Sequence, residues 1–252
     1  AINTGGRSQI NTSIVKNAST CIAMCLFALH NSVWADDHNP PPSHTRILSA
    51  PHTINSPIVD GKIDDEPWQG AAVASNFWLS SEQKSPTDRI EVLVLRDEQR
   101  LYFAFRCYDS QPDSIVADKK RRDAGLGYDD KVSVELDSFH NYRTISTYSV
   151  NARGTQNDAI SGGRARKIEW KGDWKGAAVR TEYGWSAEIA IPFSILNYHS
   201  ESRKFGINFL RYQSRTDELS RWADVTPQFK REKMGILSGL ELPDIAKQQP
   251  WT

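Results

Sequence analysis

Apolar residues recur at every second position along much of the chain. In residues 89–94, Ile90, Val92 and Val94 share one parity, and in residues 101–108 so do Leu101, Phe103, Phe105 and Cys107. A period of two places a set of side chains on one face of a strand. Between the two runs stands the polar tetrad Asp97-Glu98-Gln99-Arg100, so the pair predicts a β-hairpin. The alternation returns in Val132, Val134 and Leu136, in Trp185, Ala187, Ile189 and Ile191 up to Pro192, and in Phe205, Ile207 and Phe209. Residues 143–151 add a segment rich in Thr, Tyr, Ile and Val, residue types favoured in strands.

Helical periodicity sustained over ten residues is missing; single turns are expected at 64–72 and 192–197. Many short strands, each with a face to cover, predict an all-β domain: a two-sheet antiparallel β-sandwich, jelly-roll-like. Gly125-Leu126-Gly127 and Ser161-Gly162-Gly163 mark longer loops, and on a rigid sandwich the loops are where a site is built.

The first residues have another pattern. Lys16, the apolar run from Thr20 to Leu29 and the small Ala35 read as a secretory signal. The run is too short for a span, which needs about 20 apolar residues. The sequence opens on Ala1 rather than Met, which fits a fragment or residues upstream of the true start. Residues 36–45, with Pro40-Pro41-Pro42, read as a linker that favours extended geometry and buries little. The expected organisation is residues 1–35 upstream and signal, 36–45 linker and 46–252 folded domain.

Cleavage after Ala35 removes two of the 31 basic residues, Arg7 and Lys16, and none of the 31 acids, so the exported chain is slightly acidic. That balance argues against nucleic acid or an anionic membrane as partner. Cys21 and Cys25 leave with the signal, so Cys107 has no partner for a disulfide and the core must supply the stability.

Catalytic material is sparse. Asp64-Asp65-Glu66 and Asp129-Asp130 are adjacent acids, whereas a glycosidase needs two carboxylates about 5 to 10 Å apart across a cleft. His38, His44, His52, His140 and His199 show no zinc-ligand spacing. The nucleophile elbow, phosphate loop and dinucleotide fingerprint are absent. Cys107, on an apolar face, reads as a small core residue.

Aromatic residues offer more. Flat rings stack on the apolar faces of sugars, and exported proteins meet polysaccharide. Trp is also a core residue, and Trp68 and Trp185 lie in apolar settings that predict burial. Trp170, Trp174 and Trp222 lie near strand ends or in Gly- or charge-rich segments, where exposure and burial are equally open.

Several segments together resemble one family. Residues 58–68, Ile-Val-Asp-Gly-Lys-Ile-Asp-Asp-Glu-Pro-Trp, resemble the opening motif of family 9 carbohydrate-binding modules, and so does the hairpin ending in Leu101-Tyr102-Phe103-Ala104-Phe105. Residues 130–137 look like the family's acidic central strand and residues 184–193 like its late strand. The match runs from about Arg46 to Leu242. A subgroup found as N-terminal domains of Gram-negative envelope proteins, often ahead of an outer-membrane barrel, is similar at Arg121-Arg122-Asp123, Asp137-Ser138-Phe139 and residues 150–156. Against that subgroup, the present sequence reads as a free-standing version or a truncated gene product.

The resemblance implies sugar binding between two aromatic rings. The family's first Trp falls at Gly127 with Tyr128 beside it, and the second falls near Gln228-Phe229. Its central-strand Glu corresponds to Ser133, and its Arg-x-Asn reads Ser149-Val150-Asn151, keeping Asn151 alone. The candidate sugar contacts are therefore Tyr128, Asn151, Trp222 and Phe229. Family modules also hold structural calcium, for which Asp129 and Asp158 are the candidates here.

The expected function is carbohydrate binding by an exported, non-catalytic module. It would serve polysaccharide breakdown in the periplasm or outside the cell, with polysaccharide or oligosaccharide as partner. The alternative is an envelope interaction domain with a protein partner and no sugar. A third use of a related sandwich, haem held by Met with His or Lys, meets only Met234 after the signal and no His on an apposed strand.

Overall fold

The computed structural model describes residues 45–243 apart from 163–164, 168–171, 200, 224 and 229. The expected signal and linker, Trp170 and Phe229 lie outside the described residues. Among the described residues fourteen strands succeed one another: β1 (Ile47–Ser49), β2 (Ala72–Ala74), β3 (Trp78–Leu79), β4 (Ile90–Arg96), β5 (Arg100–Tyr108), β6 (Lys131–Asp137) and β7 (Ile145–Asn151). They continue with β8 (Gln156–Gly162), β9 (Ala165–Lys167), β10 (Lys175–Thr181), β11 (Gly184–Pro192), β12 (Phe205–Gln213), β13 (Glu218–Arg221) and β14 (Gly235–Ser238). Among the described residues the helical segments are short 3-10 turns, two of them at Glu66–Gly70 and Phe193–Ile195, where single turns were expected.

The strands form two sheets. One has nine strands in the order β1-β14-β12-β6-β7-β8-β9, with β13 joined to β12 and β3 joined to β13; the other has five, β10-β11-β5-β4-β2. Pairing is antiparallel except between β1 and β14, which run parallel. The all-β sandwich expected from the alternation is the observed architecture.

The hairpin of β4 and β5 has the expected turn. Arg96 pairs with Leu101, and the amide of Asp97 donates to the carbonyl of Arg100 at 3.1 Å. Asp97 fixes it further, its Oδ1 accepting the amides of Gln99 and Arg100, both at 2.7 Å, and its Oδ2 the hydroxyls of Tyr102 and Ser56. An aspartate that closes its own turn in this way is a common reason for a tight reversal.

The core lies between the sheets. Val92, Phe103, Phe105, Cys107, Trp185 and Ile189 of the smaller sheet meet Val132, Val134, Tyr148, Val150, Ile207 and Phe209 of the larger. Phe209 takes Phe103 and Phe105 edge-on, at ring distances of 5.7 and 6.0 Å. Edge-to-face pairing is the favoured arrangement of such rings. Cys107 is buried here, and burial pushes its thiol up to about 12, so it stays protonated and inert.

The five-stranded sheet is buried on its outer face as well. Leu93 and Leu95 of β4, Tyr102 and Ala104 of β5 and Ala190 of β11 form a second apolar cluster with Trp68, and Val59, Ile63 and Ala71 pack against it. The segment from Ile58 to Ala71 thus roofs this sheet. Glu188 holds it down: Oε1 accepts the indole N–H of Trp68 at 2.9 Å, and Oε2 accepts the amides of Asp60 and Gly61 at 2.9 and 2.8 Å. Gly61 is required here, since its φ is +94° and a Cβ would come within 2.8 Å of the Ala178 backbone.

Candidate functional site

The nine-stranded sheet has mostly polar residues on its outer face where the five-stranded sheet has apolar ones. The register sets them in rows across β13, β12, β6, β7 and β8. Leu219, Tyr212, Lys131 and Asn151 make one row; Arg221, Leu210, Ser133, Ser149 and Asn157 make the next. Successive β6 residues alternate between this face and the core, so Lys131, Ser133 and Glu135 point away from Val132, Val134 and Leu136.

Tyr128 stands at the head of β6, and the chain is folded to expose it. Gly125 and Gly127 take positive φ of 63° and 46° on either side of Leu126. Leu126 is tucked in at 4 % exposure while Tyr128 is 79 % exposed. The amide of Asp129 donates to the carbonyl of Leu126 at 2.8 Å and closes the turn. Tyr128 and Tyr212 lie 6.5 Å apart at an interplanar angle of 52°. The Lys131 ammonium sits 4.2 Å above the Tyr212 ring and donates to the carbonyl of Gly127. Burial lowers the Lys131 ammonium below its ordinary value. Burial, reinforced by a 2.7 Å bond from the Tyr212 hydroxyl to Asp217, raises that phenol to about 12, so it remains neutral.

Asn151 has a different task from the one expected. It is fully buried; Nδ2 donates to Asp129 Oδ2 at 2.8 Å and to the carbonyl of Lys119 at 2.9 Å, while Oδ1 accepts the amides of Arg153 and Thr155. These bonds pin the loop that carries Tyr128 to the end of β7. Asn151 therefore positions the loop and has no amide group free for a sugar.

Trp222 is 4 % exposed, which corrects the open expectation for this ring. It packs 5.5 Å from Phe209, the Arg46 guanidinium covers it at 5.5 Å, and a Cβ on Gly235 would come within 2.4 Å of it. Trp174 is likewise buried, edge-on to Tyr148 at 5.4 Å, with its indole N–H on Asp158 at 3.0 Å. Both stand in charge-rich or Gly-rich sequence, but residues distant in the chain fold over them. Phe229 lies outside the described residues; among those described, Tyr128 is brought together with Tyr212.

The two calcium candidates are engaged by N–H donors. Asp129 accepts the amides of Asp118 and Lys119 at 3.1 and 2.9 Å in addition to Asn151. Asp158 accepts Arg122 at 3.1 Å, the amide of Gly172 at 3.1 Å and the Trp174 indole. A carboxylate filled by donors is a poor cation ligand. Among the described residues no group of three or more His, Cys, Asp or Glu is placed to hold a metal ion.

Tyr212 and Lys131 were not singled out from the sequence. The signal was present: β12 buries Phe205, Ile207 and Phe209, so Tyr212 has the opposite parity and must face outward. A separate cleft of about 430 Å³ opens beside the β4–β5 turn, lined by His52, Thr53, Ile54, Glu98 and Arg100 among others. It offers no Phe, Tyr or Trp ring, whereas the face at Tyr128 joins an open ring to hydroxyls and an ammonium. Stacking a pyranose on the ring and bonding its hydroxyls is the chemistry that set can perform.

Comparison with known proteins bears on the fold and the family. A search of the curated proteins finds no match for the chain. Among solved structures, a family 9 carbohydrate-binding module from Caldicellulosiruptor kristjanssonii in complex with cellotriose superposes with a TM-score of 0.55 at 15 % identity, covering 82 % of this chain and 98 % of that one. The module from the same organism in complex with glucose gives 0.55 and 15 %, covering 79 % and 97 %. A candidate carbohydrate-binding protein from Bacteroides uniformis gives 0.60 at 13 % identity, covering 77 % and 99 %. At such identities the likeness shows a common fold. Residues 59–233, more than half of the chain, match the family described as carbohydrate family 9 binding domain-like. The chain belongs to that family, whose members are binding modules rather than enzymes.

Proposed function

We propose that the domain binds carbohydrate at the Tyr128 end of the outer face of its nine-stranded sheet, with Tyr128 as the stacking ring and Tyr212 and Lys131 beside it. The observation that carries this is the 79 % exposure of Tyr128, next to Gly127, where the family resemblance expects a sugar-stacking ring. The solved neighbours from Caldicellulosiruptor kristjanssonii hold cellotriose and glucose, which supports an oligosaccharide ligand. The signal-like pattern of residues 16–35 supports export. The similarity at Arg121-Arg122-Asp123 and residues 150–156 supports a Gram-negative envelope setting. There the module would act as an accessory to polysaccharide breakdown.

Calorimetry or a glycan array with the purified domain tests this. Binding of at least one glycan is expected, with Tyr128→Ala weakening it about tenfold, the order of one lost ring contact. Signals at background across plant, algal and bacterial glycans would sink the proposal.

A second reading, an envelope interaction domain that binds no sugar, is favoured by one observation. Ser133 and Ser149, at the family's Glu and Arg positions, hydrogen-bond to each other at 2.7 Å and are mostly covered. Cross-linking in envelope preparations distinguishes it: a specific protein partner supports it, and a domain that remains monomeric counts against it.

A further inference from the structure

We infer that the glycan recognised at this face is anionic, a polysaccharide carrying carboxylate or sulfate groups. This rests on the sugar-binding reading above and names the class of its ligand.

The observation is a segregation of charge in the loop before β6. Lys119, Lys120, Arg121 and Arg122 are consecutive, and all four are exposed. Arg122 is bound to Asp158 at 3.1 Å and to the carbonyl of Gly172 at 2.6 Å. Lys119, Lys120 and Arg121 have no ion pair among the described residues. The acids of the same segment turn inward instead. Asp129 and Asp130 are 3 % and 1 % exposed, and their oxygens accept the amides of Asp118, Lys119, Val116 and Ser214. Between residues 118 and 130, Asp118 alone is an exposed acid. Cations thus reach outward while their counter-charges lie beneath.

The loop is tied to the stacking ring. Asp129, next to Tyr128, holds the amide of Lys119 at 2.9 Å, and the carbonyl of Lys119 accepts Asn151 and Thr155. Arg153, exposed on the adjoining turn, donates to the carbonyl of Ala117 at 3.0 Å and adds a cation to the same rim. On β6, Lys131 adds an ammonium over Tyr212, the ring beside Tyr128. A neutral glycan offers these cations nothing beyond hydroxyls. A ring stacked on Tyr128 with acid groups on its neighbours along the chain meets positive charge from the loop before β6 and from Lys131.

The test uses the full chain and calorimetry or affinity electrophoresis. Probes are polygalacturonate, a sulfated galactan, a neutral galactan, cellotriose and poly-L-glutamate, which carries carboxylates but no ring. At low salt the anionic glycans should bind about tenfold tighter than the neutral ones, the sum of a few weak exposed pairs. The advantage should fade at about 0.5 M salt, where screening is short-ranged. The triple variant Lys119→Gln, Lys120→Gln, Arg121→Gln should erase that advantage with neutral binding and Tm unchanged, whereas Tyr128→Ala should weaken both classes. Comparing polygalacturonate with the sulfated galactan tells carboxylate from sulfate. Equal affinity for charged and neutral glycans, with Tyr128 still required, overturns the inference and leaves sugar binding standing. Poly-L-glutamate bound as tightly as polygalacturonate also overturns it, showing a general cationic surface. No binding to any glycan overturns the sugar reading itself.

Discussion

The two sheets have the same internal face and opposite outer ones. The five-stranded sheet has Leu93, Leu95, Tyr102 and Ala104 pointing outward, and residues 58–71 cover them. The nine-stranded sheet has Lys131, Ser133, Glu135 and Tyr212 in the equivalent positions, and at Tyr128 and Lys131 they remain partly or wholly open. An aromatic residue therefore means different things on the two sides. Trp68 is a fastener, with its ring in an apolar cluster and its N–H on a buried carboxylate. Tyr128 contributes little to the fold and has its face free. A sheet face roofed by its own chain is closed to ligands, and the edge of the other face at Tyr128 is left open to them.

Mutating one ring on each side gives the largest contrast. Trp68→Ala should cost about 4 kcal/mol of unfolding free energy, read from urea denaturation, because it empties a packed site and strands Glu188. Tyr128→Ala should cost less than about 0.5 kcal/mol in the same assay, as expected for an exposed side chain. Similar losses for the two variants would break the comparison.

Removing the carboxylate beneath the roof comes next. Glu188→Ala leaves the Trp68 indole and the amides of Asp60 and Gly61 without their acceptor, and should destabilise by about 3 kcal/mol. Faster proteolysis of residues 58–71 should accompany it, with glycan binding at Tyr128 unchanged.

A smaller effect is expected from pH. Burial raises Glu188 from 4.5 to about 7, against the opposing bonds from Gly61, Trp68 and Asp60. A carboxyl raised in the folded state binds a proton more tightly there than in the unfolded chain. Its contribution is complete below about pH 4.5 and is lost as pH rises through about 7. The Tm of the wild type should therefore fall by about 4 °C more than that of Glu188→Gln between pH 5 and pH 8. Parallel profiles for the two proteins would show that Glu188 does not titrate in this range.

Calcium should do least. With Asp129 and Asp158 engaged by N–H donors, millimolar Ca²⁺ is expected to move Tm by less than about 1 °C. A rise of several degrees would reveal a cation site that those bonds do not suggest.

Legibility in the sequence tracks the range of each interaction. The β4–β5 hairpin and its core face were legible because alternation and the turn tetrad are local. The outward residues Leu93, Leu95, Tyr102 and Ala104 were equally visible, but their burial depends on a segment more than twenty residues earlier in the chain. The opening motif and the late strand were recognised separately, whereas the Glu188–Trp68 bond joins them across 120 residues. Trp222 and Trp174 looked exposable from their neighbours in sequence, and Gly235, Arg46 and Tyr148 decide otherwise. Tyr128 was singled out through the family resemblance at Gly127, and the two positive-φ glycines before it account for its exposure; Asn151 was singled out the same way, but its amide is used up inside the fold.

The parallel pair of β1 and β14 governs the order of assembly. Among the described residues the first strand pairs with a single neighbour, the last strand, with Leu48 and Ser238 bonded across 190 residues. β1 thus gains its strand partner only when β14 has been made and laid against β12, although the residues just after it, Pro51 and Thr53, bond to Arg96 of β4. Closing so long a loop is slow and comes late. A nascent or partly threaded chain therefore lacks this edge altogether, and the domain completes its larger sheet only once the whole of it is free.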